Sequence, residues 1–156
     1  MDDTDLKILK ILQEKARIPN VDIARTIGLA PSAVLERIKK LESKGIISGY
    51  EVRLNPQCFN HSMIAFIHIR VIAPAQTEQT AKSLSKYEEI QEVHYIAGED
   101  CILAKIRIDN SAELQAVINE KIASINGVQS TKSFIVMSTY KESAKIPLPE
   151  TFTLNI

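Results

Sequence analysis

The chain has 156 residues, 45% of them hydrophobic and 24% charged, with 19 basic residues against 19 acidic ones. That composition is ordinary for a globular protein and argues against a disordered chain, while the zero net charge excludes bulk attraction to nucleic acid. Any binding of DNA has to come from a local patch, repeated by oligomer symmetry.

The charge asymmetry is weak: ten basic against eight acidic residues up to Asn55, and nine against eleven after it. Cys58 and Cys101 fit neither a metal-ligand spacing nor a disulfide framework, so reduced thiols are expected. The acidic start Met1-Asp2-Asp3-Thr4-Asp5 is the opposite of a signal peptide's basic one, and no apolar run reaches the length of a membrane span. These features predict a cytoplasmic protein.

From Asp5 to Ala16 the apolar residues Leu6, Ile8, Leu9, Ile11 and Leu12 recur at helical spacing behind acids that favour a helix N-terminus. Pro19 breaks this helix, and Asn20 is a candidate cap for a second one, Val21 to Ile27. Gly28 suits the left-handed residue that ends it, and Pro31 suits the first turn of a third helix running to Lys44 before Gly45. At about 100° per residue, Val34, Ile38 and Leu41 fall on one line, with Ser32, Glu36, Lys39, Lys40 and Ser43 roughly opposite.

Taken alone, a Lys/Glu face is a solvated surface. Two short helices joined by a few residues, however, are the helix-turn-helix shape, whose second helix enters the major groove. On that reading Ser32, Ala33 and Glu36 approach base edges and Leu35 meets a thymine methyl. Lys39, Lys40 and Arg25 contact phosphates, which position without specifying. Arg37 lies on the flank, and DNA contact and structural ion pair remain two readings of it. Ala30, at the N-cap, is a poor capping residue.

The segment Ile46 to Leu54 is rich in β-formers around Gly49, predicting a hairpin wing closed by Asn55-Pro56. The features now assembled are Asp5, Ile8-Leu9, Ala16-Arg17, Ile23-Ala24, Gly28-Leu29, Pro31-Ser32, Arg37, Leu41-Glu42 and Gly45-Ile46-Ile47-Ser48-Gly49-Tyr50. Their density and order resemble the Lrp/AsnC, or feast/famine, family of bacterial and archaeal transcription regulators. Ala30 departs from that pattern, which usually has a capping serine there.

The second half follows a different period. Met63, Ala65, Ile67, Ile69 and Val71 alternate on one strand, and Ile102, Ala104, Ile106 and Ile108 on another. The opposite faces begin with Ile64 and Phe66 and with Cys101 and Leu103, too apolar at one end for water, which predicts burial by a second subunit. Helices over 78–87 and 111–125 and strands over 93–97 and 133–139 complete a β-α-β-β-α-β order, the ferredoxin-like split βαβ.

The expected fold class is therefore α+β. A winged helix-turn-helix with its linker strand occupies residues 1–55, a ferredoxin-like domain 56–145 and an extended tail 146–156. Pro147 and Pro149 keep the stretch from Lys145 extended, on a neighbouring subunit. The resemblance implies that the second domain is the RAM sensing and oligomerisation domain, and Gly127-Val128 and Leu148-Pro149 also fit it. It further implies a homodimer assembling into a tetramer or octamer, and an effector, often an amino acid, held by the turn Gly98-Glu99-Asp100-Cys101 and the final strand, where Ser138 and Thr139 offer hydroxyls.

The family usually places an aspartate three residues after the glycine, where this chain has Cys101. Asp100 is one place earlier, and a one-residue shift on a strand reverses the direction of the side chain. An ordinary hairpin turn with solvated acids is the competing reading.

His61, His68 and His94 are too scattered for a metal site, and nothing positively indicates an enzyme. Some proteins of similar architecture are siroheme-pathway decarboxylases, for which His68, Arg70 and Arg107 are the candidates. A sensor or partner subunit without DNA binding is a third possibility.

Overall fold

The computed structural model describes residues 1–97 and 101–151, with only the backbone of Cys101. The chain forms two compact units: residues 1–53 with the chain from Glu142 onward, and Leu54–Lys141.

The first unit is built on three helices, α1 (Asp3–Glu14), α2 (Asn20–Ile27) and α3 (Pro31–Ser43). Their apolar stripes meet in a core of Ile8, Ile23, Ala24, Val34 and Ile38, with Ile11, Leu12, Ile18, Ile27 and Ile47 around it. α1 starts in a reciprocal capping box in which the Asp5 N–H donates to Asp2 Oδ1 at 2.9 Å and the Asp2 N–H to Asp5 Oδ2 at 3.0 Å. Asn20 is not the cap of α2: Pro19 holds that position without a side-chain bond, and Asn20 lies inside the helix. Gly28, at φ 73°, turns the chain between α2 and α3, a conformation in which a Cβ would be strained.

No strand forms among residues 46–54, so the expected hairpin is absent from the wing. The N–H groups that would open a ladder are used at the end of α3. Ile46 and Ile47 both donate to the Leu41 carbonyl, at 2.9 and 3.3 Å, and Gly45 donates to that of Glu42. The remainder runs extended, with Val52 80% exposed.

The second unit is a four-stranded antiparallel sheet in the order β2-β3-β1-β4, made of β1 (Met63–Val71), β2 (Ile90–Ile96), β3 (Cys101–Ile108) and β4 (Val128–Ile135). The central pair is in register from Met63 opposite Ile108 to Arg70 opposite Cys101. α4 (Thr77–Leu84) and α5 (Ser111–Ala116) supply the two crossovers, and α5 continues as a π-helical turn over Val117–Ile122. Each crossover skips one strand, which is the split βαβ expected from the periodicity.

Ala65, Ile67, Ile69, Ile102, Ala104, Ile106 and Ile108 are fully enclosed beneath Leu84, Leu114, Val117 and Ile122. Burying each isoleucine is worth about 2 kcal/mol. β4 begins and ends earlier than the expected 133–139, because its pairing with β1 runs from Val128 opposite Val71 to Ile135 opposite Ala65. The sheet's other face carries Phe66, His68, Leu103, Lys105 and Arg107, half buried, beside exposed Phe134.

Candidate nucleic-acid interface

The exposed side of α3 is defined by what its inner side buries. Val34, Ile38 and Leu41 are packed into the first unit, which leaves Ser32, Leu35, Glu36, Lys39 and Lys40 turned to solvent and Ala33 half exposed. Leu35 is 41% exposed, as single surface leucines often are. The Lys39 and Lys40 ammonium groups have no ion-pair partner among the described residues.

The start of α3 is as weak as the sequence suggested. Ala30 makes no side-chain cap, and Pro31 supplies the only local preference for the helix at that end. Arg25, near the end of α2, meets Asp22 at 3.2 Å on the same helix, both exposed. A surface pair of this kind is worth at most about 1 kcal/mol, so the guanidinium can exchange its partner cheaply.

Arg37 is placed differently. Its Nη1 lies 2.7 Å from Asp2 Oδ2 and 2.7 Å from Asp5 Oδ1, so one guanidinium on α3 grips both members of the capping box of α1. Asp5 is buried. The N–H of Asp5 and the Arg37 guanidinium hold the Asp2 carboxyl below its ordinary range, and bonding to Asp5 and Asp2 pushes the arginine up. The acids at positions 2 and 5 read as helix-favouring charges, but nothing local to Arg37 pointed to partners 32 and 35 residues away.

Of the candidate effector residues, Gly98, Glu99 and Asp100 lie outside the described residues, as does the side chain of Cys101. Ser138 and Thr139 are exposed and do not belong to the last strand, which ends at Ile135; pairing with β1 stops there. The last ladder position is followed only by the Val136 N–H donating to the Ile64 carbonyl at 2.9 Å.

His68, Arg70 and Arg107 share a sheet face but form no cluster. His68 sits edge-on to Phe134, and Arg107 donates to Gln91 and to the His61 carbonyl. In register, Arg107 stands opposite Ile64, six residues along β1 from Arg70, about 20 Å away at the rise of a strand.

A helix-turn-helix unit followed by a split-βαβ sheet is the arrangement in which the comparisons with known proteins agree. Residues 1–48 match the winged helix-turn-helix DNA-binding model, and residues 64–146, more than half of the chain, match the Lrp/AsnC ligand binding domain. The chain belongs to the Lrp/AsnC family.

As a Lrp/AsnC regulator it is similar to the HTH-type transcriptional regulator FL11 of Pyrococcus abyssi, 41% identical over 95% of this chain and 97% of the other. It is also similar to the leucine-responsive regulatory protein of Escherichia coli, 34% identical over 94% and 90%. A transcriptional regulator of Neisseria meningitidis, solved in complex with L-methionine, superposes with a TM-score of 0.87 at 31% identity, covering 94% and 96%. The chain is thus a transcription regulator with a DNA-binding helix-turn-helix and a ligand-binding domain. No helix among the described residues is long and apolar enough to cross a membrane.

Proposed function

We propose that α3 is the reading helix, entering the major groove of double-stranded DNA. Ser32, Ala33 and Glu36 lie toward base edges, Leu35 against a thymine methyl, and Lys39, Lys40 and Arg25 on phosphates. Arg37 fixes the helix from behind. The observation that carries this reading is the outer face of α3, whose two lysines have no ion-pair partner among the described residues while the neighbouring arginine is paired inward.

Two lysines per copy on a neutral protein give modest affinity, so useful binding requires several copies at fixed spacing. The second face of the sheet, with Phe66, Leu103 and Phe134, supports pairing of subunits there. The ligand is an amino acid, L-methionine being the first to test, held by Gly98, Glu99, Asp100, Cys101, Ser138 and Thr139. The regulator acts in the cytoplasm and catalyses no reaction; in support, its relatives are regulators and His68, Arg70 and Arg107 are dispersed.

Fluorescence anisotropy tests the interface, using a genomic fragment selected by the protein itself across a salt series. Replacing Lys39 and Lys40 together by alanine should lower the slope of log K against log salt by about 1.8, two phosphate contacts at roughly 0.9 each. An unchanged slope and affinity remove both lysines from the interface. Thermal shift across the twenty amino acids tests the ligand.

A further inference from the structure

The chain passes between its two units twice, at residues 53–54 and again at 141–142, and the second passage leads back to the DNA-binding unit. There, Lys145, Ile146 and Glu150 meet α1. Arg53 Nη2 donates to the Glu142 carbonyl at 2.8 Å, tying the returning chain to the outgoing one.

Gln13 spends both ends of its carboxamide on a single residue. Its Oε1 accepts from the Ile146 N–H at 2.9 Å and its Nε2 donates to the Ile146 carbonyl at 3.2 Å, as a neighbouring strand would. Lys145 Nζ pairs with Glu14 at 2.6 Å on one side, and Lys10 Nζ with Glu150 at 3.3 Å on the other.

The two ion pairs agree with the direction of the segment. Reversed, it would set Lys145 against Lys10 and Glu150 against Glu14. Pro147 and Pro149 hold the stretch extended beforehand, which lowers the entropy lost on docking. The family's ligand-binding model itself runs to residue 146, so it includes Lys145 and Ile146, which bond to Glu14 and Gln13 of α1.

We propose that residues 142–150 are a strap, a second mechanical tie between the ligand-binding and DNA-binding units, and that the face of α1 formed by Lys10, Gln13 and Glu14 is its dock. Because Arg37 locks α1 to α3, a pull on the strap reaches the reading helix through rigid parts. The dock and the tie stand on the contacts above. That the strap carries the effector's signal rests additionally on the effector reading, since Ser138 and Thr139 lie just before it.

The test uses the full chain. By NMR hydrogen exchange the Ile146 amide should exchange at least about tenfold more slowly than that of Ala144, which has no acceptor among the described residues. Lys145→Glu should abolish the difference, and the charge-swapped pair Glu14→Lys with Lys145→Glu should restore it. The same variant should bind a duplex carrying one half-site as the wild type does, but lose about tenfold on a fragment carrying two, with recovery in the swap.

Equal exchange at Ile146 and Ala144 in the wild type overturns the dock. Wild-type binding of the two-site fragment by Lys145→Glu, or failure of the swap to recover it, overturns the tie. L-methionine and the other amino acids are added to the same two-site assay. If none alters wild-type binding, the effector reading fails while the exchange and two-site results still judge the strap. If one does, and Lys145→Glu responds equally, the strap does not transmit.

Discussion

Replacing Arg37 by methionine keeps most of the side-chain stem against the helix pair and removes the guanidinium. Two contacts of 2.7 Å are lost, and they are unequal. The Asp2 side chain is 52% exposed, so its pair with Arg37 contributes at most about 1 kcal/mol. The Asp5 side chain is 12% exposed, and losing a charge-assisted bond there costs about 1.5–3 kcal/mol, reduced because Arg37 itself is one-third exposed. The expected loss is about 2 kcal/mol, confined to the first unit, and so an amide exchange about 30-fold faster at Ile38 and Leu41. A double-mutant cycle with Asp5→Asn should return most of it as coupling. The salt slope of DNA binding should not change. A slope lower by about 0.9 with unaltered exchange would refute the clamp and make Arg37 a phosphate contact.

Ala30→Ser supplies the missing cap of α3 and should stabilise the first unit by about 1 kcal/mol, read from the same amides. Lys121 holds the Glu89 carboxyl below its usual 4.5, first through their hydrogen bond, so this pair favours the folded, ionised form. Its contribution is complete above the ordinary glutamate value and is lost as pH falls below it. The stability gap between wild type and Lys121→Met should therefore shrink as thermal unfolding is followed from about pH 6 to pH 3. Ile106→Ala, in the enclosed layer beneath the helices, should cost about 2–5 kcal/mol in urea unfolding of the second unit, without changing the salt slope.

The elements legible in the sequence were those whose burial leaves a period. Val34, Ile38 and Leu41 with Pro31 before and Gly45 after define α3, and the alternation in β1 and β3 gives their spans directly. The apolar cluster Phe134 to Met137 points to a later β4, whereas the paired residues include Ser130 and Lys132 on a lightly covered edge. The ladder that pairs Ala65–Arg70 with Ile135–Ser130 overrides hydrophobicity there. The wing failed for a related reason: Ile46 and Ile47 have the composition of a strand, but their N–H groups are used to end a helix. The roles of Arg37 and of the tail depend on partners 32 to 133 residues distant, which no local window contains.

The unformed hairpin limits how much information one copy can take from DNA. With residues 46–54 in no ladder, the proposed interface is a single helix, and three or four side chains of such a helix reach base edges. The major groove distinguishes four base-pair states, about 2 bits per position, so one copy reads at most about 8 bits. Locating one address among about a million competing sites takes about 20 bits. A single copy falls short by more than half, so selectivity must be summed over at least three readings, from repeated helices or from the deformability of the DNA between them.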